Sequence, residues 1–412
     1  MLALLWRLAC LDNLRERLWP ARTAGLQYAL DVGPRGVSLS FSGYSDGLAA
    51  LARDVSQSAA KFVPDEASTA RLADVIRRDL QDKSKPYVAA GFAATRALTR
   101  DGAFADQELV KALDAVFSDG ATGAAVRVKA FARDNLWAGG RPAFARGGDI
   151  LVEGNFDEKE AHALAAAVAS ALPLRPGGPS FPTPRGLALP TTPVVLRIGA
   201  EEIGTEERNS AAELLLAVGS GPRAIALASV LSALLKPIFF DALRTKEQLG
   251  YVVQLGQRAL PGAARTVALV LLVQGEKPPS ALTRRLRKFV MTEAAAAVRN
   301  LDEKTLRGIA SSLADQKLEP DRRLYDRAGR HWEELRRTRD STIEGAAVAP
   351  NWNRRYQTAV ALNALTLSDV RDLWADVMSG GSFAVEVSNA PVFDGETFAR
   401  SAEQVRAVLK PS

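Results

Sequence analysis

The sequence has 412 residues, 47% of them apolar and 24% charged, enough for two or three domains, each with its own core. The net charge is +6, but Lys and Arg are scattered among Asp and Glu, and aromatic residues do not interleave with them. That excludes a nucleic-acid surface and leaves only a weak lean toward acidic partners. Cys10 is the only cysteine, which excludes an intrachain disulfide and a cysteine metal cluster.

No apolar run is read as reaching the ~20 residues of a membrane span, so no membrane partner is expected. Met1 to Cys10 lacks a basic leader and is interrupted by Arg7, so it is no convincing signal peptide. Leu4, Leu5, Leu8 and Leu11 instead form the stripe of an amphipathic helix. A soluble chain of the cytoplasm or periplasm is expected, with the compartment left open.

From Gly25 the chain begins an internal repeat. Gly25 to Leu30 (GLQYAL) lies over Gln248 to Val253 (QLGYVV) at an offset of 223. Gly36 to Gly43 and Arg265 to Gln274 follow as second strands. Helices come next, Gly47 to Phe62 and Ser280 to Arg299. Val63-Pro-Asp-Glu and Leu301 to Lys304 then open acidic helix starts. Those helices break at Lys85-Pro86 and Glu319-Pro320. Each unit closes on a strand, Ile150 to Asn155 and Phe383 to Asn389.

Pro173 to Pro193 holds seven prolines and reads as an extended linker. The expected domains are therefore 1–172, the linker 173–193, and 194–412. The second unit has two further strands, Val194 to Gly199 and Ser210 to Val218, for which the first has no counterpart. The first unit is thus expected to lack its front, leaving an uncovered sheet edge, and the chain to be the tail of something longer. The fold class is α+β, two homologous units, each an antiparallel-rich sheet packed with helices.

The stretch with most chemical content is Phe240 to Gln257. Phe240 and Leu243 keep a helical spacing; from Leu249 the period becomes two, with Leu249, Tyr251, Val253 and Leu255 on one face. Arg244 offers fixed donors and a permanent charge, and the Tyr251 hydroxyl can donate to a developing oxyanion. Equally, Tyr251 could fill a half-buried strand position and Arg244 pair with Glu247. The first unit keeps the tyrosine as Tyr28 but has Ala21 in place of Arg244.

Other chemistry is thinner. His162 and Glu158 make a surface helix pair. His331 and Glu334 share a helix face, but a zinc-peptidase helix needs a second imidazole where Leu335 stands. No metal site is expected. Cys10 lies in an apolar stripe and is expected in the core. Gly139-Gly140, Gly147-Gly148 and Gly380-Gly381 lack a phosphate-loop context and are expected turns.

Leu243 to Tyr251 (LRTKEQLGY) is very similar to the segment marking the C-terminal half of the insulin-degrading-enzyme and pitrilysin zinc peptidases. Gln274 to Pro279 follows at the family's spacing, and Leu14 to Leu30 resembles part of the preceding domain. The resemblance implies a pitrilysin-like metallohydrolase fold of four homologous domains closing around a peptide, with this chain as domains three and four. It also implies catalytic roles for Arg244 and Tyr251, which bind the substrate backbone and steady the tetrahedral intermediate. Zinc, on HxxEH, would belong to a complementary half, since that motif is absent here. The function implied is the non-zinc-binding half of a metalloendopeptidase, inactive alone and partnered by peptide and an HxxEH half. The alternatives are a peptide-binding partner subunit and a decayed fragment.

Overall fold

The computed structural model describes residues 1–33, 36–100, 102–136, 148–172, 185–262, 265–340, 350–379, 381–389 and 399–409. Most of the expected linker, with Gly139-Gly140, Gly147 and Gly380, lies outside them. The chain begins α1 (Leu2–Arg17), α2 (Trp19–Thr23), β1 (Gln27–Gly33), β2 (Gly36–Ser42), α3 (Ser45–Lys61) and α4 (Glu66–Gln81). Next come α5 (Pro86–Leu98), α6 (Asp106–Val116), α7 (Gly120–Phe131) and α8 (Glu158–Ala171). The second repeat opens with β3 (Val194–Ile198), α9 (Ala200–Ile203), β4 (Ser210–Gly219) and α10 (Gly221–Phe240). Then follow β5 (Val252–Ala259), β6 (Val267–Gly275), α11 (Pro279–Phe289), α12 (Ala295–Arg299), α13 (Glu303–Leu318) and α14 (Leu324–Asp340). The chain ends α15 (Arg354–Asn363), α16 (Leu367–Ser379), β7 (Phe383–Val387) and α17 (Ala402–Val408).

The repeated order is plain in these elements. α4 and α13 are both 16 residues long, and each starts on an aspartate whose carboxylate accepts an N3 backbone N–H at 2.7 Å, Asp65 from Ser68 and Asp302 from Thr305. These are side-chain caps of the kind the acidic starts implied. One expected strand is corrected. Ile150 to Asn155 is not in a ladder, because a strand needs paired neighbours and the first unit's only described sheet is the β1–β2 ribbon. Glu153 of that segment instead meets Arg327 and His331 of α14.

Packing groups the chain into two compact units that do not follow chain order. One comprises Met1–Asp82, Phe104–Thr183 and Asp321–Arg339; the other Lys83–Ala103, Pro184–Pro320 and Asp340–Ser412. The chain changes unit at the two helix breaks read from Lys85-Pro86 and Glu319-Pro320. In consequence α5 belongs to the second body and α14 to the first.

The second body is built on a five-stranded sheet, β3-β7-β4-β6-β5, with β3 and β7 parallel and the other neighbours antiparallel. β4, β6 and β7 are near-continuous apolar runs, as expected of strands covered on both faces. One face, with Leu214, Leu269, Leu271 and Val273, packs with residues of α10, α11, α13, α15 and α16. The other, with Leu215, Val270 and Val385, packs with α5 and α17. α5 presents Ala89, Ala90, Ala93, Ala94 and Ala97 to it, all buried, which lets helix and sheet approach closely. Under α5 the buried carboxylate of Glu213 takes two hydrogen bonds of 2.8 Å from Arg258. The 26-residue helical stretch Gly221–Lys246 corrects the reading of apolar runs: by length and mean hydropathy (1.7) it could cross a membrane, yet half of that window is buried in the protein.

In the first body, α1, α3, α4 and α7 enclose a smaller core around Leu5, Trp6, Leu14, Leu30, Val55 and Ile76. Cys10 is buried there, and burial pushes its thiol up to about 12. It is a core group, as the apolar stripe implied.

Candidate functional site

The site grows out of the end of α10. Beyond Phe240 the helix widens into a π-helical turn, Asp241–Lys246. Such turns carry one extra residue and recur where a side chain must be re-aimed. The turn closes with the Glu247 N–H on Ala242 O and the Leu249 N–H on Leu243 O, both at 3.0 Å. Between them Gln248 takes the left-handed conformation, φ +49°, in the place usually held by glycine at a helix C-terminus. Leu243 and Leu249 anchor both sides of the corner in the core.

Gly250 and Gly275 then bring two backbones together. A Cβ on Gly250 would lie 1.8 Å from Gln274 O, and one on Gly275 would lie 1.9 Å from Leu249 O. Only after this crossing does β5 begin, at Val252. The even alternation expected from Leu249 is therefore corrected at Tyr251, which precedes the ladder. Leu249, Val253 and Leu255 are buried while Tyr251 is 84% exposed.

The corner brings Arg244 and Tyr251 into contact. The guanidinium carbon lies 4.7 Å from the centre of the phenol ring, a cation–π arrangement that restrains two otherwise mobile side chains. One guanidinium N–H donates to Gly250 O. Neither side chain takes the purely structural role open to it. Tyr251 fills no core position, and Glu247 pairs with Arg285 at 2.6 Å. Arg285 also reaches Glu293 at 2.6 Å, and hydrogen bonding to Glu247, against desolvation, holds its pKa above the ordinary value. At Glu293 desolvation opposes ionisation but is outweighed by hydrogen bonds from Thr292, its own backbone and Arg285, so its pKa falls. Lys246 is likewise held by Asp241 at 2.7 Å. Arg244 thus has neither nearby carboxylate as a partner.

The histidines have their own partners. His162 is exposed, 3.8 Å from Glu158; His331 Nδ1 lies 2.7 Å from Glu153 Oε2. Among the described residues, no three His, Cys, Asp or Glu side chains are grouped to hold a metal.

Known proteins share both halves of this sequence. A model of the middle or third domain of peptidase M16 matches residues 1–112. A model of the C-terminal lobe domain 4 of PQQ synthase PqqF-like proteins matches residues 230–332. The chain belongs to the M16 peptidase family. The order of its matches, third domain and then fourth, is that of the family's C-terminal half. It is 25% identical over 379 residues to human insulin-degrading enzyme, covering 89% of this chain and 34% of that enzyme. The Bos taurus enzyme is 26% identical over 335 residues, covering 79% and 30%. This M16 chain therefore spans about a third of the length of the curated relatives it matches.

Its fold is shared with the crystal structure of pitrilysin, with a TM-score of 0.81 at 18% identity over all of this chain and 42% of that one. A peptidase M16 inactive domain from Pseudomonas fluorescens aligns with a TM-score of 0.59 at 16% identity, covering 96% and 90%. The α+β class and the pitrilysin-like architecture expected from the sequence are those observed.

Proposed function

We propose that this M16 chain is the non-zinc-binding half of a pitrilysin-like metalloendopeptidase, working with a complementary half that carries HxxEH. One observation carries the reading: Tyr251, an aromatic side chain with no core position to fill, is held exposed under the Arg244 guanidinium. Keeping a large ring in water has no packing benefit. As a pre-positioned donor pair it has a chemical one. The phenol O–H can donate to a carbonyl oxygen as it becomes an oxyanion, and the guanidinium N–H groups beyond the one on Gly250 O can hold the peptide backbone. Water activation and zinc belong, in this reading, to the complementary half.

The test is reconstitution with an HxxEH half, with turnover, peptide affinity and melting temperature measured on the same samples. Tyr251→Phe is expected to cut kcat by ~10²–10³ with the fold intact, the usual cost of a lost oxyanion donor. Arg244→Ala is expected also to weaken peptide binding. Full turnover in folded Tyr251→Phe would remove the tyrosine from the mechanism.

A second reading, a peptide-holding subunit without catalytic contacts, is favoured by the fold shared with the domain described as inactive. It predicts that both substitutions lower peptide affinity and leave the turnover of a complementary peptidase unchanged.

A further inference from the structure

The first unit's tyrosine has different surroundings. A cavity of about 380 Å³ opens beside it, lined by Leu11, Arg15, Arg22, Leu26, Gln27 and Tyr28. Four of these side chains, Arg15, Arg22, Gln27 and Tyr28, are hydrogen-bond donors, two of them cations, and none is a carboxylate. The other arginines of α1 are occupied, Arg7 by Leu30 O and Asp31 at 2.9 Å each, and Arg17 by Asp54 O and Ser58. Arg15 and Arg22 have no ion pair among the described residues. Burial raises the pKa of Tyr28 even against the charge of Arg22, the foremost of the cations acting on it, so the phenol keeps its proton at neutral pH.

We propose that this cavity binds an acidic segment of a peptide, its carboxylate taken by Arg15 and Arg22. Tyr28 and Gln27 donate to the same group, while Leu11 and Leu26 receive an apolar neighbouring side chain. The volume is at the small end for ligand sites and suits one or two residues. A bare phosphate would satisfy the arginines but leave the two leucines unused, which is why the commitment is to peptide. Arg22 stands six residues before Tyr28, where Arg244 stands seven before Tyr251. The first unit thus keeps an arginine and a tyrosine together although the aligned position is Ala21.

The inference needs no zinc-bearing half. It can fail while the Arg244–Tyr251 reading stands, and the reverse.

The full chain is titrated calorimetrically with N-acetyl-Leu-Glu, with its uncharged counterpart N-acetyl-Leu-Gln-amide, and with pyrophosphate. Saturable one-to-one binding of the acid and none of the amide is expected. Arg22→Gln and, separately, Arg15→Gln should each weaken binding roughly tenfold to hundredfold, the cost of a lost charge-assisted hydrogen bond. Arg53→Gln, an exposed change on α3 away from the cavity lining, should leave it unaltered. Circular dichroism confirms that each variant is folded; both arginines are exposed, and either variant alone suffices. No saturation by N-acetyl-Leu-Glu, or unchanged affinity in the folded variants, overturns the proposal. So does pyrophosphate binding that the acidic peptide fails to displace.

Discussion

The two helix-to-strand corners of this chain can be laid over each other residue by residue, and they close differently. In the first unit, Gly25 N–H bonds to Arg22 O and Leu26 N–H to Ala21 O, each at 3.0 Å. With Gly25 at φ +86° this is a Schellman closure of ordinary length. In the second unit the equivalent left-handed residue is Gln248, and Leu249 N–H reaches back one residue further, to Leu243. The extra residue is the π-helical turn. Leu26 and Leu249 are both buried at the corner, so the anchor is common. What differs is the tyrosine that follows: half-buried beside a cavity as Tyr28, exposed under Arg244 as Tyr251. One residue in the width of a helix turn therefore separates a tyrosine set in a groove from one held out to solvent.

The largest expected effect breaks the second corner. Gly250→Ala drives a methyl into Gln274 O and should cost about 2–3 kcal/mol, as overpacking does, with Arg244 losing its acceptor at Gly250 O. The aligned residue in the first unit is Gln27, which already carries a side chain on exposed β1, so Gln27→Ala should be near neutral. Urea unfolding of both variants checks this. Equal losses would show that the close backbone crossing is not particular to the second corner.

Exchanging the left-handed residues sharpens the comparison at smaller scale. Gly25→Ala should cost about 1–2 kcal/mol, the penalty of a Cβ in that conformation. Space does not explain it, since the nearest atom to the new methyl, on Tyr44, is 3.5 Å away. Gln248→Gly should stabilise by a few tenths to about 1 kcal/mol, because relief of the same penalty exceeds the added chain entropy of glycine. Opposite signs in thermal melts are the expected result. The same sign in both would mean that Gln248 is held by contacts outweighing its backbone conformation.

The smallest effect is a pH dependence confined to the second corner. The folded pKa of Glu293 lies below its ordinary value. Its contribution to stability is therefore complete above the unfolded carboxylate pKa and is lost as pH falls through the folded one. Glu293→Gln should flatten the acid limb of the stability profile and change little near neutrality; the carboxylate is a third exposed, so solvent screening keeps the difference small. An unchanged acid limb would remove the Glu247–Arg285–Glu293 network from the energetics of the corner.

Local rules carried the sequence reading a long way. The aspartate caps at Asp65 and Asp302, the apolar stripe holding Cys10, the Lys-Pro and Glu-Pro breaks and the strands β2, β3, β4 and β6 depend on near neighbours, and they appear where residue type and spacing put them. Arg22 was also within reach, since it adjoins the aligned Ala21, but a strict offset passes over a neighbour one residue away. What no local rule contains is which body a helix joins. α5 and α14 follow similar breaks, yet which sheet or helices each one covers depends on distant partners. The exposure of Tyr251 is of the same kind. The alternation of Leu249, Tyr251, Val253 and Leu255 points all four inward, and only the π-helical turn, the left-handed Gln248 and the crossing of Gly250 over Gly275 turn one of them out. Periodicity assumes a ladder already in register; here the tertiary approach of β6 decides where that ladder begins.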